Sequence, residues 1–375
     1  MGRIPWGQGQ VTRKSGSLTL RHEVGQLFIV GFDGTRMSSA VRDQLTRMQP
    51  AGVILFRRNI ESPQQTWQLL HECQAGVAQP LFCCVDLEGG TVDRLRDAIG
   101  PSPAPADIFG TGDRKLYRKH GKVIGEACRN VGLNVDFAPA LDLALEASRL
   151  VMSSRAVSAD PRKVVVYARE FLAGLKSAGV LGCGKHFPGL GEANLDTHQE
   201  LPAVEKSWKK LWEEDLVPYR LLRRELPFVM VSHAAFPSVT GDRTPATLSK
   251  KWIADVLRKK IGYRGLIVTD DMEMGALMAV APMEQAAVQT IRAGTDLCLV
   301  CHQEGLITRA YEAVVREAER DRKFARRVAE SAGRVAACKK KLPQRRAPLP
   351  TPARIDRLTR ELWEMSERVR LETLR

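Results

Sequence analysis

The stretch Lys185-His-Phe-Pro-Gly-Leu-Gly-Glu-Ala-Asn-Leu-Asp-Thr-His-Gln-Glu-Leu-Pro202 carries the densest set of residues suited to acid–base work. Pro188, Gly189 and Gly191 forbid regular structure after Lys185 and imply a loop. That loop bears Asp196 and His198, two positions apart. A carboxylate beside an imidazole can fix its tautomer and suit it to proton transfer near neutrality; solvated loop residues would read the same way. A second stretch, Gly265-Leu-Ile-Val-Thr-Asp-Asp-Met-Glu-Met274, runs an apolar segment into the adjacent carboxylates Asp270 and Asp271. One can cap a following helix while the other faces an open mouth, where a carboxylate suits attack on an anomeric carbon. Capping or solvation of both is the plain alternative. A third stretch, Cys84-Val-Asp-Leu-Glu-Gly-Gly-Thr-Val-Asp-Arg-Leu95, sets a glycine pair close behind an apolar run. The chain can turn sharply there and present Asp86 and Arg94, which make directional hydrogen bonds to hydroxyl groups or a structural salt bridge.

Elements must position these residues. Apolar runs of strand length occur at Leu27–Phe32, Gly52–Phe56, Pro80–Val85, Leu133–Phe137, Val180–Gly184, Pro227–Val231, Gly265–Thr269 and Asp296–Val300. Between them the pattern turns helical at Ser38–Met48, Pro63–Ala75, Lys115–Asn130, Pro161–Ala178, Ser207–Leu222, Ser249–Lys259 and Met283–Ala293, with a last long segment over Glu304–Lys340. Strands alternating with helices imply parallel pairing through right-handed crossovers. Eight such units close into an α/β (β/α)8 barrel, with an open doubly wound sheet as the other topology. Asp86, Lys185, His186, His233 and Asp270 all follow strand ends, the rim on which barrel active sites are built. Residues 20–340 read as the barrel domain. Residues 341–375 read as a proline-rich connector, Leu342–Pro352, and an amphipathic helix, Arg354–Leu374, with Ile355, Leu358, Leu362, Met365 and Val369 on one stripe. That helix is expected to pack back on the barrel, with a dimer contact as the alternative, and the chain is expected to be a monomer.

The bulk properties narrow the function classes. The chain has 375 residues, 44% hydrophobic, enough for a large core, and its longest apolar runs are too short to span a membrane. Met1–Leu18 is basic but has no apolar core before a small-residue cleavage site, so no signal peptide is read and a cytoplasmic location is expected. Cys83, Cys84, Cys183 and Cys298 lie inside apolar runs, and Cys298-Leu-Val-Cys301 reads as core rather than as half of a zinc or redox motif. The net charge is +14, and from residue 301 onward nineteen Lys/Arg face eleven Asp/Glu. Basic residues interleaved with glutamates and no accompanying motif argue for a solvated helix and tail rather than a nucleic-acid partner. A basic surface also attracts an acidic substrate.

Taken together, the chain resembles glycoside hydrolase family 3, and within it the single-domain β-N-acetylglucosaminidases of peptidoglycan recycling. The resemblance rests on Val85-Asp-Leu-Glu-Gly-Gly-Thr-Val-Asp-Arg94, Asn134-Val-Asp-Phe-Ala-Pro139, Ser154-Arg-Ala-Val-Ser-Ala-Asp-Pro161, Lys185-His-Phe-Pro-Gly189, Asp196-Thr-His198, Val229-Met-Val-Ser-His233 and Val268-Thr-Asp270, in the family order over roughly residues 24–300. It implies that Asp270 is the nucleophile and that Asp196 and His198 form an acid/base dyad. It implies that Asp86, Arg94, Arg155, Lys185 and His186 hold the hydroxyls of the non-reducing-end sugar, with Met230 and His233 in the pocket wall. The chain departs from the family pattern at Leu190, where a second His is usual, at Glu192-Ala193, usually Asp-Thr, and at Thr91, usually Arg.

The expected reaction is retaining cleavage of a terminal β-linked N-acetylglucosamine, with no cofactor and no metal. Many larger family members take a glutamate acid from a second domain. Only the connector and a short helix follow the eighth unit here, so the barrel's own loop is expected to supply it. Phosphorolysis remains open, because a neutral histidine base tolerates an incoming anion. The rival readings are a metal-dependent barrel hydrolase, a family 3 β-glucosidase and a carbohydrate-binding barrel without catalysis. Gly31-Phe-Asp-Gly-Thr35 lacks the histidines that the first of these needs.

Overall fold

The chain is described from a computed structural model over residues 16–193, 201–343 and 347–373. Eight parallel strands close into a barrel in sequential order: β1 (Phe28–Val30), β2 (Gly52–Ile54), β3 (Phe82–Val85), β4 (Val135–Asp136), β5 (Leu181–Phe187), β6 (Phe228–Val231), β7 (Leu266–Asp271) and β8 (Leu297–Val300). The ring closes through β1 and β8 in the register Phe28↔Cys298, Ile29↔Leu299 and Val30↔Val300. Alternation along each strand sorts the side chains into two cores. Ile29, Ile54, Phe82, Val135, Phe137, Phe228, Met230, Val268 and Leu299 fill the barrel interior. Phe28, Val30, Val53, Cys83, Val85, Val231, Ile267 and Cys298 belong instead to the larger core under the helices. Inside, the Phe82 and Phe228 rings meet edge to face at 5.2 Å and 83°.

α-Helices surround the barrel. These are α1 (Gly16–Gly25), α2 (Ser39–Met48), α3 (Pro63–Ala75), α4 (Arg114–Asn130), α5 (Pro161–Ser177), α6 (Met283–Ala293), α7 (Glu304–Arg320), α8 (Arg322–Lys339) and α9 (Pro352–Thr373), with shorter turns between them. Ser38, Ser62, Asp113 and Asp160 cap α2 to α5. The helix expected over Glu304–Lys340 is two helices, because Asp321 ends α7 and its carboxylate accepts from Lys323 N and Phe324 N to start α8. The helix expected over Ser207–Leu222 is also two, Trp208–Glu213 and Val217–Leu222, since Asp215 turns inward to Lys206 at 2.7 Å and Pro218 opens the second piece. Lys251–Lys260 winds with π geometry.

The last helices close the N-terminal end of the barrel. Val335, Cys338 and Leu342 plug the interior cluster from below. Nearby, buried Asp296 accepts from Ile267 N at 3.0 Å and Ser331 Oγ at 2.9 Å and pairs with Arg258, Arg327 and Arg334. After the connector, α9 buries Leu358, Leu362, Met365 and Val369, and its Arg368 pairs with Asp113 at 2.7 Å. No helix among the described residues is long and apolar enough to cross a membrane.

Candidate active site

The C-terminal ends of β3, β5, β6 and β7, with the loop after β4, meet at one mouth. Beyond β3 the chain folds into a two-stranded hairpin, Leu87–Gly89 with Val92–Asp93. Gly89 turns it at φ +98°, where a Cβ would fall 2.2 Å from the Pro103 carbonyl, so a side chain is excluded. Asp93 pins the hairpin by accepting from Ser102 N and Oγ, each at 2.9 Å. Asp86 and Glu88, two residues apart on this segment, both reach the amine of Lys185 at 2.7 Å. Glu88 also takes Arg155 in a two-pronged pair at 2.9 and 2.7 Å.

The loop after β4 is sewn to β5. Ala140 bridges Lys185, and Leu141 N donates to the Lys185 carbonyl at 2.6 Å. Asp142 therefore lies beside His186. One of its oxygens accepts from His186 N at 3.0 Å and lies 2.7 Å from His186 Nδ1, while the other accepts from Leu190 N at 2.7 Å. With Nδ1–H directed at Asp142, the Nε2 edge is turned toward Arg155, 3.5 Å away. The peptide bonds Lys185–His186 and Phe187–Pro188 are cis.

Asp270 and Asp271 end β7 and divide their work. Asp271 caps the next turn through Glu273 N at 3.0 Å and pairs with His302 Nε2 at 3.1 Å. Asp270 is half-buried and accepts from Asp271 N at 2.9 Å. Burial pushes its carboxyl group up, but His186, His233, the Asp271 N–H and Lys185 outweigh that and hold it below the ordinary carboxylate value. It is an anion at neutral pH. His233 is fully buried, which lowers its pKa and keeps it neutral. Its Nε2 donates to the Asp271 carbonyl at 2.8 Å and its Nδ1 faces Thr247 Oγ1 at 2.9 Å, so it braces the backbone that carries Asp270.

The same balance runs through the charged cluster. Burial raises Glu88, yet Arg155 and Lys185 hold it far below the usual carboxylate range. Burial lowers Lys185, yet Asp86 and Glu88 hold it above its ordinary value. Glu88, Lys185 and Arg155 stay charged because each has an opposite charge in contact.

A scan against family models matches residues 19–338 to the glycosyl hydrolase family 3 N terminal domain. The chain belongs to glycosyl hydrolase family 3. It is a glycoside hydrolase. A β-hexosaminidase of Alkalilimnicola ehrlichii is 37% identical over 281 residues, covering 73% of this chain and 80% of that one. A β-hexosaminidase of Nitrosomonas eutropha is 35% identical, covering 72% and 78%. Among solved structures, the family 3 β-N-acetylglucosaminidase from Paenibacillus superposes with a TM-score of 0.85 at 32% identity, covering 92% of this chain and 68% of that one. The β-N-acetylhexosaminidase from Beutenbergia cavernae does so with 0.78 at 28% identity, covering 86% and 98%.

In this family 3 hydrolase the fold brings Asp86, Lys185, Arg155 and His186 into one chain of contacts, with Asp270 and His233 in their electrostatic reach. Arg94 stands apart, half-buried with its Cζ 5.9 Å from the centre of the Phe56 ring and its Nε buried without a hydrogen bond among the described residues. Met230 is 2% exposed in the barrel interior, where it underlies the mouth. Asp196 and His198 lie outside the described residues.

Glu88 and Asp142 were not singled out from the sequence. Glu88 was within reach, being two residues beyond Asp86 in the segment that follows the third apolar run. Asp142 carried no local signal. The family departures also have places. Leu190 is buried with its N–H on Asp142, Ala193 is buried, and Glu192 lies 3.5 Å from Lys206. Thr91 is exposed at the hairpin turn. Among the described residues no group of three His, Cys, Asp or Glu side chains is arranged to hold a metal ion.

Proposed function

We propose that this hydrolase is a retaining exo-β-N-acetylglucosaminidase that removes terminal β-linked N-acetylglucosamine from peptidoglycan fragments. The observation that carries the reading is Asp270, an anionic carboxylate at a strand end between two histidines and beside the Asp86–Lys185–Glu88–Arg155 cluster. The names of the relatives and structural neighbours support the sugar.

In the first step an Asp270 oxygen bonds to the anomeric carbon as the bond from that carbon to the leaving oxygen breaks. His198, oriented by Asp196, gives its proton to the leaving oxygen. In the second step His198 takes a proton from water, the water oxygen bonds to the anomeric carbon, and the Asp270 carboxylate departs. Two inversions retain the configuration. Asp86, Lys185, Arg155, His186 and Arg94 serve the hydroxyl groups of the sugar, and the charged ones do so with strong directional hydrogen bonds. His233 holds the Asp270 backbone in register.

The test is release of p-nitrophenol from the β-N-acetylglucosaminide and the β-glucoside, with and without phosphate, by wild type and Asp270→Ala. Cleavage of the N-acetylglucosaminide that is independent of phosphate and lost in Asp270→Ala is the expected result. Phosphate-dependent turnover would make the protein a phosphorylase, preference for the glucoside would overturn the sugar assignment, and no turnover would overturn the exo-glycosidase reading.

A further inference from the structure

Three lysines are buried among the described residues: Lys185, Lys206 and Lys339. Lys185 meets Asp86 and Glu88 at 2.7 Å, and Lys206 meets Asp215 at 2.7 Å. Lys339, at the end of α8 and 7% exposed, meets no carboxylate among the described residues. Its amine donates to the Gln26 side-chain oxygen at 2.7 Å and lies 5.5 Å from the centre of the Phe82 ring. Burial pushes that amine from 10.5 down to about 7. A buried cation without a counter-charge is costly, and the other two buried lysines among the described residues avoid it.

Lys339 lines a cavity of about 320 Å³ at the N-terminal end of the barrel, on the opposite side from Asp270. α3, the end of α4, β3 and the start of the connector wall it, through Trp67, His71, Arg129, Cys83 and Pro343. Lys339, Arg129 and Cys83 all line this cavity. No aspartate or glutamate lines the cavity among the described residues. One wall is flat, since the Trp67 and His71 rings stack at 5.0 Å and 7°.

We propose that this cavity binds a small oxyanion, the phosphate or carboxylate group of a soluble metabolite, which provides the counter-charge that Lys339 lacks. Arg129 supports the anion from the side, and the Trp67–His71 face receives the remainder of the ligand. The site is separate from sugar cleavage. It predicts its own pH dependence. Only the ammonium form of Lys339 attracts an anion, so affinity is full below pH 7 and declines as pH rises above it, with a proton taken up on binding. The other basic groups facing the cavity are Arg129 and His71. Burial lowers Arg129 from its ordinary value, and His71 is exposed on α3.

The test is calorimetric titration of the full chain with sulfate, phosphate and acetate at pH 6.5 and 8.5. Sulfate does not titrate in this range, so its pH dependence reports the protein. Wild type is expected to bind sulfate about 25-fold more weakly at pH 8.5. Lys339→Met is expected to lose binding, and Lys339→Arg to keep it without the pH dependence. Tighter binding of sulfate and phosphate than of acetate marks a phosphorylated ligand, and the reverse marks a carboxylate. Should Lys339→Met fail to fold, Lys339→Arg and Arg129→Gln carry the comparison. No binding of any of the three anions at about 50 mM, or binding that Lys339→Met leaves unchanged, overturns the proposal.

Discussion

The two ends of this barrel treat buried charge differently. At the C-terminal rim, Asp86, Glu88, Lys185 and Arg155 share contacts of 2.7 to 2.9 Å, so each ion is offset by its neighbour. At the N-terminal floor, Asp296 is matched by three arginines, yet Lys339 a short way off has an amide and an aromatic ring. Removal from water disfavours the ion at both ends. What differs is the compensation. The rim keeps its groups charged and fixed in place, which suits a site that must orient hydroxyls and hold an anionic nucleophile. The floor leaves Lys339 half-neutral near pH 7, where a ligand can change its state.

The comparison can be broken in four places. The largest effect is expected at Asp270, where alanine should lower kcat/KM on the N-acetylglucosaminide by roughly a thousandfold or more while the protein stays folded. A residual rate within tenfold of wild type would remove Asp270 from the chemistry. Next is Glu88→Gln. It leaves two buried cations short of charge and should cost about 3 kcal/mol in urea unfolding at pH 7. A loss below about 1 kcal/mol would mean that the rim cluster does not depend on its pairing.

Lys339→Met tests the floor through pH. The folded pKa of about 7 lies below the ordinary 10.5, so between those values the unfolded chain binds the extra proton and stability rises with pH. Wild type should therefore gain about 2 kcal/mol more than Lys339→Met between pH 7 and 9. Equal slopes for the two proteins would show that Lys339 is charged throughout. The smallest effect is expected at Arg57→Ala. Its pair with Asp97, although only 2.5 Å long, has both side chains more than half exposed. Unfolding should shift by less than about 1 kcal/mol, and a larger loss would make proximity rather than burial the measure of an ion pair in this fold.

The barrel was legible because its strands are short apolar runs with polar rims, a pattern local enough to read along the chain. Each of the eight expected runs contains an observed strand or overlaps most of one. Where the reading failed, a single side chain had a second use. Asp321 continues the apolar periodicity around it but serves as a cap, and Asp215 leaves its helix for Lys206. The candidate site was legible as residue types. Its wiring was not, because the partners come from segments far apart in the chain: Lys185 reaches 99 residues back to Asp86, Arg155 reaches 67 back to Glu88, and His186 reaches 44 back to Asp142.

The sequence by itself determined the alternation of strand and helix, the strand ends at which Asp86, Lys185, His233 and Asp270 fall, and the ordered motifs that mark the family. These are properties of neighbours within a few residues, where backbone geometry and side-chain periodicity suffice. Only the tertiary structure decided which charges meet, that Asp270 stays ionised, that His233 braces the backbone instead of facing open space, and that Lys339 ends without a carboxylate beside it. Those outcomes depend on closing the barrel. Closure brings distant loops within hydrogen-bonding reach and removes the water that would otherwise have screened them.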